Sequence, residues 1–175
     1  QFLELQVGYH DALQFCKINA FIDPGIHLIQ GDNGAGKSTL IQAILGSFPS
    51  KIVSLHQFPI LPPSEMLQSF WAGVSHELKS HFQLELDLKG HDFSGGESQK
   101  ILLLIALSQS SPWYIFDEPL SNVDLAHRKE WIELMLKWAQ RQQLNMIVVH
   151  ESSDQFSQFS QLNHWRLDSE ALTPC

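Results

Sequence analysis

The stretch "GDNGAGKST", residues 31 to 39, follows the mostly apolar run Ile26 to Ile29 and opens a helical pattern. Gly31, Gly36, Lys37 and Ser38 fit the spacing G-x-x-x-x-G-K-[ST], and a strand on one side with a helix on the other is the context that gives this spacing physical meaning. A glycine loop at a helix N-terminus gathers unsatisfied backbone N–H groups and the positive end of the helix dipole around one point, which suits phosphate. Gly31, Asn33, Gly34, Ala35, Gly36 and Thr39 belong to that loop, Lys37 is placed to neutralise terminal phosphates, and the Ser38 hydroxyl to ligate magnesium. A nucleotide with Mg2+ is the expected occupant.

At 175 residues the chain suits one domain, 1–175, with a sizeable core. Nineteen acidic against eleven basic residues leave a formal charge of -8, which opposes binding to a phosphate backbone, so free nucleic acid is not an expected partner. The longest unbroken apolar run, Ile101 to Leu107, has seven residues, where a membrane span needs about 20. No secretory signal pattern opens the sequence, and an intracellular location is expected. The two cysteines, Cys16 and Cys175, and the nine histidines fall at no zinc-site spacing.

Short apolar runs alternate with helical patterns along the chain. Strands are expected at 25–30, 52–55, 113–116, 146–149 and in "NHWRLD", with helices over about 37–45, 97–109 and 124–142. This alternation predicts an α/β fold with a mostly parallel central sheet covered on both faces. Gly46 is placed to cap the first helix and Asp124 to start the long one, whose Trp131 and Trp138 fall on the core-facing stripe. Residues 58–92 begin with three prolines and turn helical near Ser64, which reads as a short helical insert forming its own small unit.

A second motif narrows the class. "FSGGESQK", residues 93 to 100, is followed by an apolar helix and then by "WYIFDEP", so that an apolar strand delivers Asp117 and Glu118 at its C-terminal end. With the loop at 31 to 38 as Walker A, 93 to 97 as an LSGGQ-like signature and Asp117 closing Walker B, the chain resembles the ATP-binding cassette (ABC) ATPases over nearly its whole length. The resemblance implies a P-loop NTPase fold and matches four further elements: Tyr9 to an adenine-stacking aromatic, Gln57 to the Q-loop glutamine, "SNVD" at 121–124 to the D-loop, and His150 to the switch histidine. It implies that Asp117 and Gln57 join Ser38 around Mg2+. Glu118 is then the general base for the attacking water, with Gln57 and His150 at the reacting phosphate.

Ser94, Gly95, Gly96 and Glu97 begin a helix whose N-terminus also suits a phosphate, although the chain's own loop already wraps one. In the ABC family two subunits pair head to tail, the signature of each covering the ATP of the other. An ATP-dependent homodimer is therefore implied.

Phe93 and Glu97 stand where Leu and Gln are commonest in the signature, and Lys100 where many members have Arg. Only 54 residues, 39 to 92, separate Walker A from the signature, so a reduced antiparallel β-subdomain and a reduced helical one are expected. By size and "SPWYIFDEP" the chain is also similar to the compact haem-exporter ATPase of cytochrome c maturation. The implied function is an ATP-hydrolysing subunit that powers an ABC transporter, cytoplasmic and held at the inner face of a membrane by a membrane-spanning partner. Phe58, Pro62, Pro63, Phe70 and Trp71 of the insert are candidates either to dock that partner or to form the insert's core. The alternatives are a soluble ABC-type mechanoenzyme and a regulatory ATP-binding module. The absence of an NKxD motif disfavours a GTPase.

Overall fold

The computed structural model describes residues 2–7, 16–47, 52–57, 60–84, 92–151, 156, 159, 162–168 and 172–175, with backbone alone for 2–7, 16–21 and 47. Six strands form the main sheet in the order β4 (Ile52–Leu55), β5 (Trp113–Asp117), β6 (Met146–His150), β3 (Ile26–Gln30), β7 (Asn163–Leu167) and β8 (Leu172–Pro174). All pairings are parallel except that of β7 with β8. Strands β1 (Phe2–Val7) and β2 (Cys16–Phe21) make a separate antiparallel pair. The architecture is a P-loop α/β fold with a small antiparallel component.

Period-two alternation explains why the central strands are apolar throughout. Leu28, Tyr114, Phe116, Met146 and Val148 pack on one face with α4 (Gly95–Ser108) and α5 (Leu125–Arg141). Ile29, Ile115, Ile147 and Val149 pack on the other with Leu40, Ile41 and Ile44 of α1 (Lys37–Ser47). A parallel sheet covered on both faces demands this pattern, because successive side chains point to opposite layers and both layers are dry. Full burial of such a side chain contributes about 1.5–3 kcal/mol.

His27 interrupts that pattern and is 1% exposed. Its Nε2 lies 2.7 Å from the Asp23 carbonyl, while Nδ1 accepts from Trp165 Nε1 at 3.1 Å. Burial pushes its pKa below the ordinary 6.5, against the raising influence of Asp23. A neutral imidazole with its proton on Nε2 satisfies both contacts.

Three local readings change. Gly46 lies inside α1, which runs on to Ser47. The signature helix begins at Gly95, because Ser94 takes the N-cap and Glu97 closes a capping box. The insert does not form an independent core: from α2 (Ser64–Gly73) and α3 (His76–His81), Leu67, Trp71 and Leu78 join the cluster of α4 and α5, as does Phe82. The ring centroids of Phe82 and Trp131 lie 5.1 Å apart, and His81 Nε2 reaches the Leu134 carbonyl at 2.9 Å. Trp71 is buried, whereas Ile60, Met66 and Phe70 are exposed. Phe58 lies outside the described residues.

Candidate nucleotide site

The C-terminal ends of β3, β4, β5 and β6 lie on one edge, since parallel register brings Gln30 opposite His150, Asp117 opposite Val149 and Leu55 opposite Phe116. Ligand crevices of open parallel sheets form at this edge. The loop leaving β3 turns through Gly34 and Gly36 at φ +85° and +92°, a backbone region that favours glycine. It delivers Lys37, almost fully buried, to the first turn of α1. The Lys37 ammonium donates to the carbonyls of Gly31 at 2.7 Å and Asp32 at 3.2 Å.

Asn33, Gly34, Gly36, Lys37, Ser38, Thr39, Gln57, Asp117 and Glu118 line one cavity of about 300 Å³. Within it Ser38 Oγ donates to Asp117 Oδ2 at 3.5 Å, and Gln57 Nε2 donates to Glu118 Oε2 at 3.3 Å. Burial pushes the Asp117 carboxyl above its usual range, partly offset by His56, Lys37 and the Ser38 hydrogen bond. Glu118 is raised as well, first by burial and further by Glu151 and Asp117, while Lys37 and Arg128 pull it down. Its backbone is left-handed, with φ +45°.

Not every sequence-read residue enters this cavity. His150 is buried at the end of β6, where its carbonyl accepts from Gly31 N at 3.3 Å and its ring stacks on Phe156 with 4.1 Å between centroids. It lines an adjoining cavity of about 100 Å³ together with Glu118, Arg128 and Glu151. Ala35 sits in the loop outside the cavity lining, its N–H donating to the Asp32 carbonyl. Tyr9 lies outside the described residues.

Ser94, Gly95, Gly96 and Glu97 line a third cavity, of about 530 Å³, with Lys100 and Asn122 to Asp124. It shares no lining residue with the loop cavity. Glu97 N donates to Ser94 Oγ at 3.2 Å, and Ser94 N donates to Glu97 Oε2 at 2.9 Å. Gly96 packs against the D-loop so closely that an added Cβ would fall 2.9 Å from the Asn122 carbonyl oxygen. Asp124, as read from the sequence, N-caps α5 and accepts from His127 N.

The sequence reading missed Gln99 and Arg128, two residues that hold these loops. Gln99 is 1% exposed and bonds both the Gln57 and the Ser121–Asn122 segments. Arg128 donates to the carbonyls of Ser121 at 2.7 Å and Val123 at 2.8 Å. Asn33 Nδ2 donates to Glu151 Oε1 at 2.5 Å, tying the glycine loop to the end of β6. A glutamine on the buried face of an otherwise apolar helix was the available signal for Gln99; the D-loop contacts of Arg128 had none.

A glycine loop at the tip of β3, beside an acidic pair at the tip of β5, defines a P-loop nucleotide-binding domain. The model of the family described as an AAA domain matches residues 9–171, and the chain belongs to that family. It is similar to the zinc import ATP-binding protein ZnuC of Mannheimia succiniciproducens, 31% identical over 180 positions that cover 88% of this chain and 66% of the relative. ZnuC of Pseudomonas fluorescens is 28% identical over 163 positions, covering 75% of this chain and 59% of the relative. The chain thus spans less than two thirds of the length of these curated relatives. Among solved structures, an ATP-binding subunit of an ABC transporter superposes with TM-score 0.75 at 20% identity, covering 98% of this chain and 86% of the other. An ATP-binding cassette solved as a dimer in a post-hydrolysis state with ADP and Pi gives the same TM-score at 18% identity, covering 98% and 95%. Among the described residues no helix is long and apolar enough to cross a membrane, and no group of three or more His, Cys, Asp or Glu side chains could hold a metal.

Proposed function

We propose that the chain is one ATPase domain, 1–175, that hydrolyses ATP and drives an ABC transporter by closing with a second copy, head to tail. The observation that carries this reading is the separation of two phosphate-type sites on one chain, the glycine loop and the signature helix, each lining its own cavity. A second subunit supplies what each site lacks. A relative solved as a dimer with ADP and Pi lends the assembly support.

In this reading the loop amides and Lys37 hold the β- and γ-phosphates of ATP. Ser38 Oγ, Asp117 Oδ2 and the Gln57 amide oxygen are hard donors, and the first two already stand 3.5 Å apart, so the residues suit Mg2+. When bound, that ion supplies charge neutralisation at the phosphates. Glu118 accepts the proton of the attacking water while the bond between the γ-phosphorus and the ADP oxygen breaks. Burial raises its pKa and with it its strength as a base. Gln57 donates to Glu118 and orients it. His150, one cavity away, reaches the γ-phosphate only after a change of side-chain position. Tyr9 is assigned to the adenine.

The partner is a membrane-spanning subunit that holds this domain at the inner, cytoplasmic face. The apolar face offered to it is that of Ile60, Met66 and Phe70, which are exposed. Trp71 belongs to the core instead.

The test is light scattering on Glu118→Gln, which blocks hydrolysis and leaves the loop intact. It should run as a dimer in Mg-ATP and as a monomer without it. Ser94→Arg in the same background should restore the monomer, because the new side chain fills the signature cavity and leaves the loop free. A Glu118→Gln protein that binds ATP yet stays monomeric, alone and with its membrane partner, refutes the two-subunit site.

A further inference from the structure

Gln99 lies in the first half of α4, five residues after the Ser94 cap, and none of its side-chain bonds goes to its own helix. Its Nε2 donates to the Gln57 carbonyl at 3.0 Å and to Ser121 Oγ at 3.0 Å, while its Oε1 accepts from Asn122 N at 2.7 Å. With 1% of its surface exposed, water cannot replace these partners. Only a primary amide offers two donors and an acceptor from one planar group, so no other side chain of this size completes all three contacts.

Two loops meet at this amide. The segment after β4 carries Gln57, whose side chain donates to Glu118 at 3.3 Å. The turn after β5 carries Ser121 and Asn122, and Arg128 of α5 grips its far side through the Ser121 and Val123 carbonyls. Ser121 Oγ also reaches the Gln57 carbonyl, at 3.5 Å. A continuous path therefore runs from the signature helix through Gln99 to the Gln57 main chain, then along the Gln57 side chain to the Glu118 carboxylate. Buried networks of this kind hold one geometry when every member is satisfied.

We propose that Gln99 is a positioning residue for hydrolysis: its amide locks the Gln57 main chain and the 121–122 turn to the signature helix, so that α4 and the Glu118 carboxylate move as one unit. The inference rests on the reading of Glu118 as general base. Closure of a partner's ATP onto the signature would then set the Gln57–Glu118 geometry through α4, without a contact between that ATP and either residue. Misplacing a reacting group by about 1 Å costs on the order of 10²-fold in rate, which is the scale available to such a device.

The experiment compares Gln99→Leu and Gln99→Glu with wild type, alone and combined with Gln57→Ala, by steady-state Mg-ATP hydrolysis and by the thermal shift that Mg-ATP produces. Gln99→Leu should lower kcat by about 10- to 100-fold and move KM for ATP by under about 3-fold, because the phosphate loop is untouched. In the Gln57→Ala background the same substitution should lower kcat by under about 2-fold, since its route to Glu118 is already cut. A purely structural role would lower melting temperature and leave the two substitutions additive. If Gln99→Leu does not fold, Gln99→Glu decides: it matches the size and still accepts from Asn122 N, but it keeps at most one of the two donations, and only when protonated, so raising the pH to ionise it should bring out the same coupling to Gln57. A folded variant with wild-type kcat, or full additivity with Gln57→Ala, overturns the proposal. Glu118→Gln measured alongside separates the two ideas, because wild-type hydrolysis there defeats the base assignment, while the coupling of Gln99 to Gln57 is read independently of it.

Discussion

Replacing Glu118 with Gln changes two measurable quantities in opposite directions. The amide keeps the shape of the side chain, and its oxygen can still accept from Gln57 Nε2, now 3.3 Å from Glu118 Oε2. What disappears is basicity and charge. Loss of a general base costs about 10²- to 10⁴-fold in rate, which at 1.36 kcal/mol per tenfold is about 2.7–5.4 kcal/mol of barrier. The folded protein without nucleotide should gain stability. Burial and the neighbouring Glu151 and Asp117 raise the Glu118 pKa above its ordinary 4.5. A carboxyl so raised costs folding free energy at every pH above its folded value, and the cost fades as the pH falls through that value towards 4.5. The melting temperature of Glu118→Gln should therefore exceed that of wild type at pH 7 to 8, and the gap should close on acidification. Hydrolysis by phosphate release and melting by calorimetry across pH are the assays. Hydrolysis within about 3-fold of wild type would exclude Glu118 as the base, and a lower melting temperature at neutral pH would show that burial does not strain its charge.

Lys37→Ala should abolish most of the stabilisation that Mg-ATP confers, worth about 2.7 kcal/mol in wild type at 100 times the dissociation constant; an unchanged thermal shift in the variant would remove this loop from nucleotide binding. His27 gives the acid limb of the stability curve: with its folded pKa depressed, its contribution is complete above 6.5 and is lost as the pH falls from there towards the folded value. His27→Gln should flatten that limb in a melting series below pH 6.5, and a slope equal to wild type would assign it to other groups.

The alternation of apolar runs was enough to read the fold, because each central strand has to supply two dry faces and each helix one. The strand at Ile52–Leu55 and the cap at Asp124 fall where local chemistry places them. What the insert packs on was not legible, because its apolar residues, Leu67, Trp71 and Leu78, carry helical spacing whether they pack on one another or on α4. Periodicity names a buried face and is silent on its partner. For the same reason Trp71 could not be told from Phe70 by sequence. The loop and the acidic pair were legible because the phosphate chemistry prescribes residue types at set places, Gln57 only through the resemblance to the ABC ATPases, and the structure brings all three to one cavity. The contacts of Gln99 and Arg128 were not, since what they hold is backbone, and backbone carbonyls leave no mark in a sequence.

Asp117 and Glu118 are consecutive, yet both line the loop cavity. Regular strand geometry forbids this, because it sends adjacent side chains to opposite sides of the sheet. The left-handed turn of the backbone at Glu118, φ +45°, is what breaks the alternation. Such a conformation costs of order 1 kcal/mol or more in a residue with a side chain, and the surrounding bonds must keep it from relaxing. Glu118 N donates to the Val149 carbonyl at 2.9 Å, and Ser121 N to the Glu118 carbonyl at 3.1 Å, which pins the kinked peptide from both sides. Two neighbouring positions can thus act as a facing pair of carboxylates, with the geometry stored in one dihedral angle. Relaxing that angle to the extended region would swing the second acid out of the crevice with no change of sequence and no loss of the first.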